Sequence, residues 1–349
     1  MPKHLLAGHP PWRQLLIVSL ALPAVVIAAV LTFAWPTARI QPRDLPIGIV
    51  GSTPGSQRLI DHLTAVEPGG FAFHLYADDA AARAAITNRS VYGAFLVTSG
   101  RVEVLTASAA SPAVAQLLTN IGVDLVSAAT QQAAAHDQPP IQLTARDVVP
   151  VSARDPKGLV FSSSLLPLTI CSIIVAAAIG VLVRFRPAWR QILALTVVSA
   201  VTAAGAYLIS QTFLGALPNE GAADWASIAL TMLAMSAATT GFIALVGVGG
   251  LAIAAALMVF VGNPFSGATS APELLPTTVN HVGQWLPPGA GANLLRSTAY
   301  FHGNGAAGHL CVLLAWIVLG FATIVLGHHA SIRFAAHPDR QAKQNPRVS

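Results

Sequence analysis

The chain alternates between long stretches without charge and one long segment that holds most of the charge. Residues 14–38, 158–183, 191–219, 225–272 and 297–332 contain no Asp, Glu, Lys or Arg. Their apolar cores are 14–35, 160–183, 191–214, 226–262 and 310–327. A helix crossing about 30 Å of hydrocarbon needs about 20 apolar residues. Four of these cores fit one span each. The core 226–262 is too long for one span and fits two, with a tight turn at Gly247-Val248-Gly249-Gly250. One long tilted helix is the alternative. The pattern predicts six spans, the fifth short and ending at Asn263-Pro264. The first run exceeds the about 7–15 residues of a signal-peptide core, so it predicts an uncleaved anchor, kinked at Pro23.

Between the first two spans the periodicity changes. Ile47–Val50 reads as a short buried strand. Ser56–Val66 has Leu59, Ile60 and Leu63 at helical spacing. Phe71, Phe73 and Leu75 alternate with Ala72, His74 and Tyr76, the period of a strand. Asp78 is placed to cap a helix running to Thr87. Tyr92–Thr98 and Arg101–Leu105 read as a hairpin about Ser99-Gly100, with Val102 and Val104 inward. Ser111 followed by Pro112 marks a helix start, with an apolar stripe at Val114, Leu117, Leu118, Ile121 and Leu125. Ile141–Val151 is a last extended segment. The order is β-α-β-α-β-β-α-β. The fold class expected is a multi-pass α-helical membrane protein with six transmembrane helices. An α/β (α+β) extracytoplasmic domain is inserted between helices 1 and 2. The expected division is a cytoplasmic segment 1–13, helix 1 over 14–36, the outer domain 37–157, a five-helix permease domain 158–330 and a basic tail 331–349.

Composition agrees. Hydrophobic residues are 54% of the 349, charged residues 9%, and mean hydropathy is +0.63. A soluble domain carries about 25% charged residues, and one this poor in charge would expose large apolar patches. The net charge of +5 points to membrane orientation and not to nucleic acid. With both termini inside, the inner segments hold nine basic residues (Lys3, Arg13, Arg184, Arg186, Arg190, Arg333, Arg340, Lys343, Arg347) against Asp339 alone. That asymmetry predicts N-in and C-in at a cell membrane.

Several chemistries are excluded. Two cysteines, Cys171 and Cys311, cannot make a disulfide framework or a zinc cluster. No G-x-x-x-x-G-K-[ST] occurs, so ATP is not bound by that route. No nucleophile elbow or H-E-x-x-H occurs. No carboxylate lies within an apolar core, which argues against an ion-driven pump. The eleven histidines lack ligand spacing, and His302, His309, His328 and His329 read as helix-end residues. Ser162-Ser163-Ser164 reads as small-residue helix packing. Asn88-Arg89-Ser90 matches a glycosylation triplet and is discounted. No catalytic, cofactor or metal site is expected in this chain.

Three features exceed what an inert anchor needs. Arg184-Phe185-Arg186-Pro187-Ala188-Trp189-Arg190 is a compact basic-aromatic inner loop. It is either a positive-inside anchor with an interfacial Trp or a docking loop for a cytoplasmic partner. The outer segment 262–304 is rich in Gly and Pro, with apolar patches around Leu274–Leu286 and Ala290–Phe301. It predicts a re-entrant element shaping the outer half of a pathway. Lys3–Arg13, with Trp12, is partly amphipathic and suits the inner membrane surface.

This layout resembles that of type-2 ABC exporter permeases, and within them the YhgE/Pip (phage infection protein-like) branch. The residues that carry the resemblance are Gly247-x-x-Gly250, Gly262, Ser266-Gly267, Glu273-Leu274-Leu275-Pro276, Leu286-Pro287, Leu295-Arg296 and the opening Pro46-Ile47-Gly48-Ile49-Val50. Leu251 stands where the family often has a basic residue, and the proline before Glu273 is adjacent instead of one residue earlier. The resemblance implies a permease subunit exporting a hydrophobic or amphipathic substrate. It implies a separate ATP-binding subunit, with ATP reaching the complex only through that partner, and a second permease copy or paralogue. Arg184, Arg186, Trp189 and Arg190 would form the ATPase coupling loop. Gly247, Gly250, Gly262, Pro264, Gly267, Glu273, Leu275, Pro276, Leu286, Pro287 and Arg296 would form the turn and outer gate, with Glu273 and Arg296 near its mouth, close enough to pair, and gating resting more on packing of the apolar faces than on that pair. A non-transporting envelope scaffold or receptor is the alternative.

Overall fold

The structure, a computed structural model, describes residues 11–335 except 52, 99, 135–138, 184–186 and 219–220. The basic tail beyond 335, the N-terminal residues before 11, and Arg184 and Arg186 lie outside the described residues.

Helix α1 (Pro11–Thr37) runs through Pro23 without ending. After it come β1 (Leu45–Val50), α2 (Pro54–Val66), β2 (Phe71–Tyr76), α3 (Asp79–Thr87), β3 (Gly93–Thr98), β4 (Arg101–Thr106), α4 (Pro112–Ala134) and β5 (Gln142–Asp147). This is the element order that the sequence pattern predicts. The local signals act as expected. The Thr53 hydroxyl accepts from the Ser56 amide and the Asp78 carboxylate from the Ala81 amide, at 3.1 and 2.8 Å. Ser111 caps α4 by accepting from the Val114 amide at 3.2 Å. Each cap satisfies an amide that the first turn leaves open.

The strands form one mixed sheet in the order β2-β1-β3-β4-β5. β1 is parallel to β2 and β3, with Ile47 opposite Phe73 and Ile49 opposite Phe95. β3 and β4 are an antiparallel hairpin, and β4 and β5 are parallel. Strand period places Leu45, Ile47 and Ile49 on one face, in a core with Leu59 and Leu63 of α2 and Val114 and Leu118 of α4. The other face packs Ala94 and Leu105 on Ala82, Ala85 and Ile86 of α3. Leu75, which shares its strand face with Phe71 and Phe73, is exposed. It lies on β2, at the sheet edge, where no helix covers that position.

The remaining helices are α5 (Leu159–Leu182), α6 (Ala188–Leu208), α7 (Ala222–Val246), α8 (Gly249–Ala255), α9 (Thr277–Gln284), α10 (Pro287–Phe301) and α11 (Ala306–Ala335). Wider π-helical turns extend α6 over Ile209–Phe213 and α8 over Ala256–Gly262. α7 is the central helix, with α5, α6, α10 and α11 all packed on it. Its buried Ser227, Thr231, Ser236, Thr239 and Thr240 are small enough for close helix approach. Thr231 and Thr239 return their hydroxyl protons to carbonyls of Ser227 and Met235 on the same helix.

Six of the described helices are long and apolar enough to cross a membrane: Leu15–Thr37, Pro112–Gln131, Leu159–Leu182, Ala188–Phe213, Ala222–Val246 and Ala306–His329. Their outward faces carry exposed Leu, Ile, Val and Phe, among them Leu20, Leu182 and Phe213. Such faces belong to a membrane-embedded chain. The set is not the six predicted. α4 enters it, although its apolar stripe packs on the sheet. The predicted fifth span, Gly249–Gly262, falls out of it. At 1.5 Å per residue it covers about 21 Å, short of about 30 Å of hydrocarbon.

The turn before that short helix is built as the glycines suggest. Gly247 ends α7 at φ +68°, ψ −146°, a conformation open essentially only to glycine. At Gly250 a side-chain Cβ would stand 2.2 Å from the carbonyl carbon of Phe242, so α8 folds back directly on α7.

Two cavities on either side of helix α10

The segment 263–301 does not lie free as a loop. Ala271 and Leu274 belong to the sheet core with Leu45 and Leu59. Ala290 and Leu294 of α10 pack with Ala234 of α7 and Leu313 of α11. Phe301, at the end of α10, is fully buried against the second face of the sheet. Backbone bonds join the same layers: Gln41 and Arg43 donate to the carbonyls of Leu274 and Glu273 at 3.1 and 3.0 Å. The segment is therefore a wedge between sheet and helix bundle.

The residues singled out in the sequence fall into place along this wedge. Gly262 ends the π-helical turns and is buried, and Pro264 lies in the turn that follows. Gly267 sits at φ +68° with its Cβ position 2.8 Å from the Pro272 nitrogen. Leu275 and Leu286 are buried. Pro276 precedes α9, and Pro287 opens α10 with Leu286 as its cap residue. Trp189 and Arg190 are not in a loop as predicted: α6 begins at Ala188, so both lie in its first turn. There the Arg190 guanidinium stacks 5.2 Å from the Trp189 ring. Pro187 is the cap residue of α6, its ring holding φ at −52°, a value compatible with a helix start.

The pair that Glu273 and Arg296 could make is not formed. Arg296 is buried and donates to the Ala268 carbonyl at 3.1 Å, with its guanidinium 5.0 Å above the Phe161 ring. Glu273 instead accepts from the Tyr92 hydroxyl at 2.7 Å. Arg89, between α3 and β3, reaches across from the sheet. It donates to the Asn293 carbonyl and to Asn293 Oδ1, both at 3.1 Å, and to the Ser297 hydroxyl. Arg296 donates more loosely to the same Oδ1, at 3.5 Å. Two cations thus share one amide oxygen. Asn293 is held in turn by donating from Nδ2 to Gln284 Oε1 at 2.7 Å.

The electrostatics follow from burial and crowding. Burial, and then the Arg89 charge, lower the Arg296 pKa to about 10, opposed by Tyr92, Tyr300 and Glu273. Arg89 is lowered chiefly by burial. Burial pushes the Tyr92 phenol well above its usual value, and the charge and hydrogen bond of Glu273 add to this. Tyr92 is therefore a neutral donor at physiological pH.

Two cavities lie beside α10. One, of about 220 Å³, sits under the sheet. Its wall includes Arg89, Tyr92, Glu273, Asn280, Gln284, Asn293 and His309. The other, of about 400 Å³, lies among α5, α6, α7 and α10 at the end of the bundle nearest the sheet. Its wall is mainly apolar: Phe161, Leu165, Leu168, Ile209, Leu217, Ile228 and Leu295 are among its residues, with Thr202 and Thr231. Cys171 and Ile209 line it and are also exposed, so it opens at the bundle surface between α5 and α6. That size falls in the about 300–1,000 Å³ range of small-molecule sites. Among the described residues, no three His, Cys, Asp or Glu side chains gather as a metal ion would need.

Sequence reasoning found Glu273 and Arg296 but missed Arg89, Tyr92, Gln284, Asn293, His309 and Phe161. Arg89 was passed over inside a glycosylation-like triplet, and His309 as a helix-end residue. No signal in the sequence joins positions about two hundred apart. No family model matches this chain, and no curated protein or solved structure matches it.

Proposed function

We propose that the chain is the permease subunit of an ABC-type exporter that moves an amphipathic or hydrophobic substrate out of the cell, powered by a separate ATP-binding subunit. The observation that supports this best is the largely apolar cavity of about 400 Å³ that opens between α5 and α6. A substrate with an apolar body can enter it sideways from the bilayer without crossing a charged barrier. On the cavity wall the hydroxyls of Ser163, Ser164 and Thr231 donate to carbonyls of their own helices, which leaves fewer unmet polar groups facing the path. In this reading the wedge 263–301 is the outer wall of the path. The sheet unit lies outside the cell between helices 1 and 2, with both termini inside. Trp189, Arg190 and the neighbouring Arg184 and Arg186 meet the ATPase, and a second copy or paralogue completes the permease.

The test is export of a fluorescent amphipath from cells carrying the chain with the ATPase that co-purifies with it. Leu168→Trp, which fills the cavity, should abolish export while leaving the protein in the membrane. Export unaffected by Leu168→Trp would remove the cavity from the path. Failure to recover any ATPase would favour the scaffold reading.

A further inference from the structure

The smaller cavity carries a chemistry of its own. Arg89 brings a positive charge to its wall and Glu273 a negative one, and Arg296 adds a second positive charge behind Asn293, off the wall. Neither arginine makes an ion pair with Glu273, whose carboxylate is engaged by Tyr92. Arg89 uses three hydrogen bonds and Arg296 two, while a guanidinium has five N–H donors. The acceptors they do use are neutral: two carbonyls, a hydroxyl and one amide oxygen. A desolvated cation held only by neutral acceptors is costly unless an anion joins it. The cavity beside Arg89 has room for one, and Asn280 and Gln284 in its wall supply neutral polar groups.

We propose that this cavity binds one singly charged oxyanion group, a phosphodiester or a carboxylate. Arg89 is its direct partner, and Arg296 stands behind Asn293 as the second positive charge. One such anion cancels the net charge left by two arginines and one glutamate. Guanidinium donors suit it because two parallel N–H groups match two oxygens. α10 separates this cavity from the apolar one: Asn293 faces the first, and Gly291, Ala292 and Leu295 face the second. The oxyanion has two sources, the headgroup of an amphipath or a free soluble anion. The proposal does not depend on export, because it concerns binding alone.

The test uses the full-length chain purified in an uncharged detergent. Calorimetry measures binding of lysophosphatidylglycerol, of dodecanoate, of monododecanoylglycerol as the uncharged control, and of glycerophosphoglycerol as the headgroup alone. A melting curve for every variant shows that it is folded. Saturable binding of lysophosphatidylglycerol or dodecanoate, but not of monododecanoylglycerol, is expected. Arg89→Gln should weaken it about tenfold or more, and Arg89→Lys should weaken it less. Asn280→Asp places a carboxylate on the cavity wall without removing either arginine, and it too should weaken binding. Binding of the headgroup alone at similar affinity supports the site and assigns it to a soluble anion. Binding only of the tailed anions supports it and assigns it to an amphipath. Equal binding of monododecanoylglycerol, affinities unchanged in both Arg89→Gln and Asn280→Asp, or no saturable binding of any anion would overturn it.

Discussion

Arg89 grips Asn293 at two points, through the side-chain and the backbone oxygen, each at 3.1 Å across 204 positions of sequence. One partner belongs to the sheet and the other to the helix that walls both cavities. This contact, with Tyr92 on Glu273, ties the position of the sheet to the position of α10. Any movement of the sheet is felt at the top of the helix bundle.

Asn293→Ala removes the oxygen shared by two buried cations. Hydrogen bonds to charged groups contribute about 1.5–3 kcal/mol each, so unfolding in lipid nanodiscs should be easier by at least that much. In an Arg89→Ala background the same substitution should cost clearly less, because the two residues are coupled. Additive losses would show that they act independently.

Tyr92→Phe tests the bond to Glu273 by pH. The folded-state pKa of Tyr92 is raised, so its contribution is complete below about 10, the unfolded value. It is lost as pH rises through the folded value. The wild type should therefore melt above Tyr92→Phe at pH 8, and its lead should shrink above about pH 10. A lead that is constant or grows with alkali would contradict the burial of the phenol.

The turn between α7 and α8 distinguishes two kinds of glycine. Gly247→Ala forces a side chain into a strained backbone region and should cost about 1–3 kcal/mol. Gly250→Ala pushes a methyl group into the Phe242 backbone at 2.2 Å and should cost more, because packed backbone cannot yield as a flexible side chain does. Denaturant titration of the two variants gives the order directly.

Much of the sheet was legible because its signals are local. Strand alternation at Ile47–Ile49, the caps at Asp78 and Ser111 and the hairpin at 98–101 each depend on residues a few positions apart. The exposure of Leu75 was not legible, because alternation shows which side chains share a face but not where the covering layer stops. α4 is apolar enough to pass for a span, and only its packing on Val104 of β4 and Leu143 of β5 gives its stripe another use. At the candidate site, Glu273 and Arg296 stood out as single charges beside long uncharged stretches. Their partners did not, since a charge in apolar sequence announces a cost and not the residue that offsets it. Arg89, Asn293 and Tyr92 meet only through the tertiary fold.

Orientation is open to a simple labelling experiment. Ala80→Cys is exposed on α3, and Val348→Cys lies in the basic tail. An impermeant maleimide applied to intact cells should label the first and not the second. Labelling of both from outside would reverse the proposed arrangement of the termini.

The claim that the apolar cavity receives the substrate is tested most directly by photo-crosslinking. An amphipath with a diazirine near the end of its tail is irradiated on the full-length chain in nanodiscs, and the labelled residues are mapped by mass spectrometry. Labels should fall on 160–171, 206–217 and 291–295, and an unlabelled amphipath should compete them away. Labels spread over the exposed faces of α1 and α11, without competition and with none in those three stretches, would show that the tail meets the chain only as bulk lipid does.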